Sequence, residues 1–430
     1  MTEPTLPDSR FRVSGAKAEE LAAAFGTPLY VIDEGHFRAK IRRYQSAFRA
    51  VYPRTELAFA SKANNTLAIL KIAHQEGCRI DVASEGEFRA ALRAGIPASD
   101  CHLHGNNKKP AEIEFAIESG IGQIVLDHFS EIELVARFLH VGRDSTELLL
   151  RLAPGVDPQT HAKISTGQAD TKFGFNIADG SAERAANRCQ ELGLPLVGIH
   201  CHVGSQLLDP NAQRAGGEHL AGFLLSMKQS GRRFKTLNVG GGLGVHYVDG
   251  DHPMPVEDYC RLIVDSITSV LGDTSDLVLA QEPGRSLIAE SGVTLYEVGV
   301  IKTVPVTENT QRTYVAVDGG LYENSRPALY GARYAVESFR HGNVHPVTVC
   351  GRHCETDTLF PDVLLATDLE EGDLLQVLTT GAYNSSMSNN YNRFPRPATV
   401  LLREDGRVDL IQHRESYEAM FERESIPEDL

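Results

Sequence analysis

Lys62 closes a short apolar run, Leu57-Ala58-Phe59-Ala60, within the stretch FASKANN. The run reads as a buried strand. A lysine where such a strand stops is either a solvated turn residue or an amine placed for chemistry. Seven further short runs end in a comparable way. Asp81, His104, Asp127 and Arg151 close four of them. His202-Val203-Gly204-Ser205, Gly240-Gly241-Gly242 and Glu282-Pro283-Gly284-Arg285 close the other three. Any one of these is an ordinary turn; eight ends that are all titratable or glycine-rich point to one shared site.

The three consecutive glycines let the backbone approach an anion, and their N–H groups suit a phosphate nest. A tight turn into a helix is the alternative reading. Ser205 adds a hydroxyl donor from the neighbouring run. An amine, a flat histidine, a carboxylate and a phosphate nest together fit one cofactor, pyridoxal 5'-phosphate. On this reading Lys62, buried at its strand end, carries the Schiff base. His202 stacks on the ring, Asp81 belongs to the cofactor region, and Glu282 keeps the pyridine nitrogen protonated. A carboxylate at that position makes the ring a strong electron sink; an arginine would suit gentler racemisation. The bland alternative for Glu282 is a structural ion pair with Arg285.

These residues need a frame. The β-like runs at 56–62, 78–83, 101–105, 122–127, 147–152, 196–203, 236–239 and 277–282 alternate with helical patterns. One such pattern spans 85–94, with Phe88, Ala91 and Leu92 on one face and Gly95 as its stop. Another spans 130–140. Ser84-x-x-Glu87 and Ser130-x-x-Glu133 both fit a capping box, so Glu87 is equally a helix cap and a neighbour of the cofactor. Asn64-Asn65 reads as the cap of the helix that follows. Eight strands alternating with helices predict a (β/α)8 barrel, which takes roughly 250 residues. A doubly wound open sheet competes, but its Gly-x-Gly-x-x-Gly after the first strand is missing. Beyond Gly284, runs at 293–305, 313–318, 344–351, 374–378 and 398–403 read as strands of a β-rich domain. The strand TPLYVIDE adds to it, and the charged tail at 413–424 reads as helical. The expected division is a barrel at 36–285, with 1–35 and 286–430 forming the β-rich domain and its C-terminal helix.

The 430 residues are 42% hydrophobic and 23% charged, ordinary values for a globular enzyme, and too many for one ordinary domain. A net charge of −15 argues against nucleic acid and anionic membrane as partners. No apolar run approaches the ~20 residues a membrane span needs. The start, MTEPTLPDSRFRV, has no basic segment before an apolar core, so no secretion signal is expected. Seven cysteines without a Cys-x-x-Cys pair argue against a disulfide framework and a zinc knuckle, and for a cytoplasmic protein.

Taken together, FASKAN, IDVASEGE, HGNNK, HAKISTGQADTKFGF, GIHCHVGSQ, NVGGGLG, EPGRS, RPALYG, CETD and GAYNSSMSNNYNRFPRP form a specific set. The chain resembles the diaminopimelate decarboxylase family, among the alanine-racemase-like (fold type III) pyridoxal phosphate enzymes, over roughly residues 25–415. The resemblance implies a TIM-type barrel plus a C-terminal β domain, a homodimer, and sites shared across its interface. It puts the cofactor on Lys62. Phosphate contacts fall on Ser205, Gly240, Gly241, Gly242 and the loop from Glu282 through Gly284 to Arg285, with Tyr383 also reaching the cofactor. Arg285, Arg326 and Tyr330 hold the substrate's distal carboxylate, and Glu355 faces its distal ammonium. Cys354 arrives with Glu355 from the partner subunit as proton donor. Alone, Cys354 reads as a structural cysteine; beside Glu355 and Asp357 in a glycine-opened loop it reads as catalytic.

The implied reaction is decarboxylation of meso-2,6-diaminopimelate to L-lysine and carbon dioxide, the last step of lysine biosynthesis. One alternative is decarboxylation of ornithine, lysine or arginine, which would leave Arg326 without a partner. Another is a pyridoxal phosphate carrier without turnover, in which Cys354 and Tyr383 would be idle. The chain departs from the family pattern in two places. Arg352-His353 precedes Cys354 where small or apolar residues are usual, and two cationic or titratable groups there would lower the thiol pKa or alter the distal pocket. Asn384 follows Tyr383 where glycine is usual.

Overall fold

The computed structural model describes residues 10–156 and 170–430. Residues 161–169 of the motif HAKISTGQADTKFGF lie outside the described residues. Two compact units divide the chain. One holds residues 246–251 and 288–430 with the described residues up to 37; the other holds the described residues of 38–245 and residues 252–287.

The first strand, β1 (Leu29–Asp33), belongs to the β-rich unit. The next eight paired strands form the barrel: β2 (Thr55–Ala60), β3 (Arg79–Val82), β4 (Cys101–Leu103), β5 (Gln123–Leu126), β6 (Glu147–Ala153), β8 (Leu196–His200), β9 (Thr236–Asn238) and β10 (Val278–Gln281). A two-residue strand, β7 (Phe175–Asn176), extends from the end of β6. All pairings are parallel and run β5-β4-β3-β2-β10-β9-β8-β6, and β5 pairs with β6 to close the sheet. A closed barrel covers both faces of each strand, so near-continuous apolar runs replace alternation. All four residues of β5 are buried. Parallel pairing sends every C-terminal strand end to one rim, so the eight ends read from the sequence gather there.

The strand bounds sharpen that reading. Lys62 lies beyond β2, in a single 3-10 turn, Ser61–Ala63. Asp81 and Arg151 lie inside β3 and β6, one and two residues before their ends.

Two helix starts depart from expectation. The helix Glu85–Arg93 is capped by Ser84, whose Oγ accepts from Glu87 N–H at 3.2 Å. Glu87 does not complete the box: its Oε2 accepts from Ala83 N–H at 2.8 Å instead. The second helix spans Phe129–Phe138, so Ser130 lies inside it. Its cap is His128, whose Nδ1 accepts from Glu131 N–H at 3.2 Å, and Glu133 is held by Arg188 at 2.6 Å. The Ser130–Glu133 box is therefore incorrect.

In the β-rich unit, β1 lies between β11 (Gly292–Thr307), antiparallel, and β17 (Ala398–Leu402), parallel. The sheet continues outward through β12 (Thr310–Val317), β14 (Val344–Cys350) and β15 (Thr358–Ala366) on one side, and β18 (Val408–Gln412) on the other. Off this path, β16 (Leu374–Leu378) pairs β11, and β13 (Val336–Ser338) pairs β16. Alternate residues Leu29 and Val31, Val293 and Leu295, and Ala398 and Val400 form one core with Leu21 and Ala18 of the helix Gly15–Phe25. The tail carries a shorter helix than expected, Tyr417–Phe421.

Candidate active site

At the barrel rim, Glu282 is the hub. Its Oε1 accepts from Asn238 Nδ2 at 2.7 Å and lies 3.0 Å from His104 Nε2. Its Oε2 lies 3.0 Å from His200 Nε2. These contacts involve His104, Asn238 and His200 rather than the structural ion pair with Arg285 weighed from the sequence. Burial opposes the Glu282 charge, but His104 and His200 outweigh it and hold the carboxyl well below its usual range. Asp81 Oδ1 lies 3.7 Å from His104 Nε2. Burial lifts Asp81 to about 6, ahead of the opposing pull of His104. Burial also works against the charge of His104, yet Asp81 and Glu282 together raise its pKa. The rings of His104 and His200 meet edge to face, 4.9 Å apart.

His202 follows β8. Burial pushes its pKa well below normal, and the Lys62 ammonium adds to the effect. The same ammonium acts on Asp81, so Lys62, Asp81 and His202 share one neighbourhood. Lys62 is exposed, against the expectation of a buried amine. The turn carrying it is fixed from the next strand end. Glu87 Oε2 accepts from Ser61 Oγ at 2.9 Å, and its Oε1 from Asn65 Nδ2 at 3.4 Å. Asn64 makes a local turn, accepting from Thr66 N–H at 3.2 Å, and the cap position of the helix Leu67–Gln75 is Thr66, not the asparagines.

Arg285 donates to Ser205 Oγ through Nε at 3.3 Å and Nη2 at 3.2 Å. The glycine turn between them admits no side chain. A Cβ on Gly240 would fall 2.4 Å from Cys201 O, and one on Gly241 2.4 Å from Glu282 O. Two of its donors are engaged within the barrel: Gly240 N–H with Asn238 Oδ1 at 2.9 Å, and Gly241 N–H with His202 Nδ1 at 3.4 Å. Gly284 is confined as well, its Cβ position 2.9 Å from Ala63 Cβ. Asp127 and Arg151 sit 3.8 Å apart, and Arg151 covers Phe173 at 4.1 Å.

The rim fits pyridoxal phosphate on one specific count. An ionised carboxylate has about four acceptor sites. Asn238 takes one on Oε1 and His200 one on Oε2, while His104 stands 3.0 Å from Oε1 without a hydrogen bond, which leaves Oε2 a site for a further donor such as a protonated ring nitrogen. Among the described residues, His104, His200 and Glu282 are also the one cluster with ligating atoms close enough for a metal, within 4.8 Å of one another. A ligating histidine normally donates its other ring N–H to a partner. His200 Nδ1 is buried without one, so the cluster reads as a hydrogen-bond network.

In the β-rich unit, Arg326 opens the short helix Arg326–Tyr330 and is buried. Its Nη1 donates to Tyr247 Oη at 2.9 Å and Tyr334 Oη at 3.0 Å. The rings of Tyr247, Tyr330, Tyr334 and Tyr383 surround the guanidinium at 5.4–6.0 Å. Among the described residues, no carboxylate lies within ion-pair distance of it. Tyr383 holds φ +60°, a left-handed conformation uncommon outside glycine. Asn384 is buried, and the amide orientation that satisfies it directs the nitrogen to the carbonyls of Thr380 and Ala382, beside Tyr383.

Cys354 is exposed, which excludes a buried structural cysteine. The two residues before it, Arg352 and His353, are engaged with other partners. His353 is buried; its Nδ1 meets Asn392 Oδ1 at 2.7 Å, and its Nε2 accepts from Tyr322 N–H at 3.1 Å, which fixes a neutral ring. Arg352 stacks on Phe394 at 4.4 Å. Glu355 Oε1 is hydrogen-bonded by Tyr391 Oη.

Sequence reasoning did not single out Asn238, Tyr247, Tyr334 or Tyr391, and it gave His200 no role of its own. His200 was visible in GIHCHVGSQ as the last residue of β8, two positions before His202.

Residues 38–289 match the family described as "Pyridoxal-dependent decarboxylase, pyridoxal binding domain". The chain is 41% identical to the diaminopimelate decarboxylase of Bacillus subtilis, over 94% of this chain and 93% of that protein. Among solved structures, it is similar to the diaminopimelate decarboxylase from M. jannaschii in co-complex with L-lysine, at TM-score 0.90 and 34% identity, over 99% of this chain and 98% of that one. It is also similar to the lysine/ornithine decarboxylase complexed with putrescine from Vibrio vulnificus, at TM-score 0.77 and 25% identity, over 91% of this chain and 99% of that one.

Proposed function

The chain belongs to the diaminopimelate decarboxylase family of fold type III pyridoxal-dependent decarboxylases, and on that premise we propose that it converts meso-2,6-diaminopimelate to L-lysine and carbon dioxide, the last step of lysine biosynthesis. The observation that carries the substrate assignment is Arg326, a buried guanidinium held by tyrosine hydroxyls and rings rather than by a carboxylate. Buried charges are normally paired. A substrate bearing a second carboxylate supplies the missing partner, and a planar guanidinium binds a carboxylate through two parallel hydrogen bonds. A substrate of the alternative, ornithine, lysine or arginine, carries a single carboxylate and has no second one to offer that group.

Pyridoxal 5'-phosphate, when bound, supplies the sink for the electron pair left by the departing carboxylate. The residues of this chain do the rest. Lys62 holds the cofactor through its amine, and Glu282 keeps a proton on the ring nitrogen. His202 would pack on the ring face, and Asp81 would border it. Ser205, Arg285, Gly284 and the turn Gly240, Gly241 and Gly242 would hold the phosphate, together with Tyr383. Arg285, Arg326 and Tyr330 orient the distal carboxylate. Glu355, held by Tyr391, faces the distal ammonium. The bond from the α-carbon to its carboxylate breaks, carbon dioxide leaves, and the Cys354 thiol gives its proton to the α-carbon.

In this reading Cys354 and Glu355 come from the second subunit of a homodimer. The catalytic barrel comprises residues 36–285, and residues 1–35 and 286–430 form the β-rich domain with its C-terminal helix. Seven free thiols suit the reducing cytoplasm. No helix among the described residues is long and apolar enough to cross a membrane.

Side-by-side turnover of meso-diaminopimelate, L-lysine and L-ornithine tests the assignment. The diaminopimelate reaction is expected to dominate, and Arg326→Gln to cut its kcat/KM by roughly 10²-fold, the cost of a lost charged hydrogen-bonded pair. Faster turnover of ornithine or lysine by the parent protein would overturn it.

A further inference from the structure

His200 takes no part in the steps proposed for this chain, yet it is among the most buried polar residues of the barrel, at 1% exposure. Its Nε2 lies 3.0 Å from Glu282 Oε2, the oxygen that retains an acceptor site. Its Nδ1 is buried with no partner. That asymmetry fixes its state. A protonated imidazole would bury an unsatisfied N–H donor as well as a charge, and both are costly. Burial takes its pKa down to about 4, against the pull of Glu282 and with the push of His104 and Arg151. His200 is therefore a neutral ring with its one proton on Nε2, donated to Glu282.

A neutral donor does what a cation does not. It stabilises the carboxylate by a charge-assisted hydrogen bond while leaving the negative charge of Glu282 uncancelled. Asn238 does the same on Oε1, 2.7 Å away. Without such donors the carboxylate becomes more basic, and a proton shared with a ring nitrogen moves toward the carboxylate.

We infer that His200 is a positioning residue for the cofactor: a neutral donor that keeps Glu282 ionised and aimed, so that the proton stays on the pyridine nitrogen. This rests on the pyridoxal phosphate reading above.

The test uses the holoenzyme, loaded with pyridoxal phosphate labelled with 15N in the ring. The parent protein is expected to show a pyridinium resonance. His200→Phe keeps most of the ring's bulk and removes the donor. It is expected to move the resonance toward unprotonated pyridine and to weaken cofactor binding about tenfold or more in equilibrium dialysis, the range for a lost hydrogen bond to a charged group. His200→Gln, whose amide nitrogen has nearly the reach of Nε2, is expected to restore both. If His200→Phe fails to fold, His200→Asn is measured in its place, since it is small enough for the space and too short to reach Glu282. A donor-less variant with the parent's resonance and affinity overturns the inference. A parent protein that takes up no pyridoxal phosphate overturns instead the reading on which it rests.

Discussion

Arg326 is held in place by tyrosines, and this distinguishes a residue waiting for an anion from one already neutralised. Tyr247 lies 79 positions away in sequence, so the cage is set by the fold and was invisible in RPALYG. Tyr334→Phe removes one of the two hydroxyls on Nη1. It is expected to raise KM for diaminopimelate several-fold, about 1 kcal/mol, with kcat little changed. An unchanged KM would show that the hydroxyl does not position the guanidinium. A second buried residue of the same unit predicts a pH effect. Burial lifts Glu323 to about 8; Tyr296 Oη at 2.5 Å and Gly320 N–H at 3.1 Å favour its charged form but do not outweigh that. Folding therefore favours the protonated acid. The stability it contributes is complete below its ordinary value near 4.5 and is lost as pH rises through about 8. Glu323→Gln keeps an acceptor for both donors and cannot ionise. In denaturant titrations from pH 5 to 9, the variant is expected to gain on the parent as pH rises, by up to about 5 kcal/mol. Parallel curves would place the titration elsewhere.

At the scale of elements, the barrel strands were legible because each is a short apolar run closed by a polar or glycine-rich end. The missed strands lack that signature. β15 carries Pro361, which an edge strand tolerates, and β13 is only three residues long. β18 follows a hairpin whose Asp405-Gly406 was an available turn signal, with Gly406 at φ +86°. Caps were less legible than strands because Ser130 competes with His128 for the same helix start, and only packing decides. HGNNK shows the same limit. Its Lys108 is buried and donates to Gly105 O at 2.8 Å, Val125 O at 2.7 Å and Glu131, so all three ammonium protons are used inside the barrel. The motif lysine fastens the loop after β4 to β5 and the helix Phe129–Phe138. Glu131→Ala leaves that charge buried and unpaired, and is expected to cost roughly 3–5 kcal/mol. A loss below 1 kcal/mol in urea unfolding would contradict this.

For the whole molecule, the proposal assigns Lys62 and Cys354 of one site to different subunits. An equal mixture of Lys62→Ala and Cys354→Ala chains, exchanged to equilibrium, is then expected to recover about a quarter of parental activity, since half the dimers carry one intact site of two. If both residues of a site come from one chain, the mixture stays inactive. The central claim is tested most directly by incubating the purified protein with meso-diaminopimelate and following carbon dioxide and L-lysine together. The account predicts equal amounts of both, dependent on added or retained pyridoxal 5'-phosphate and abolished by Lys62→Ala. Release that persists without the cofactor, or in Lys62→Ala, would contradict it.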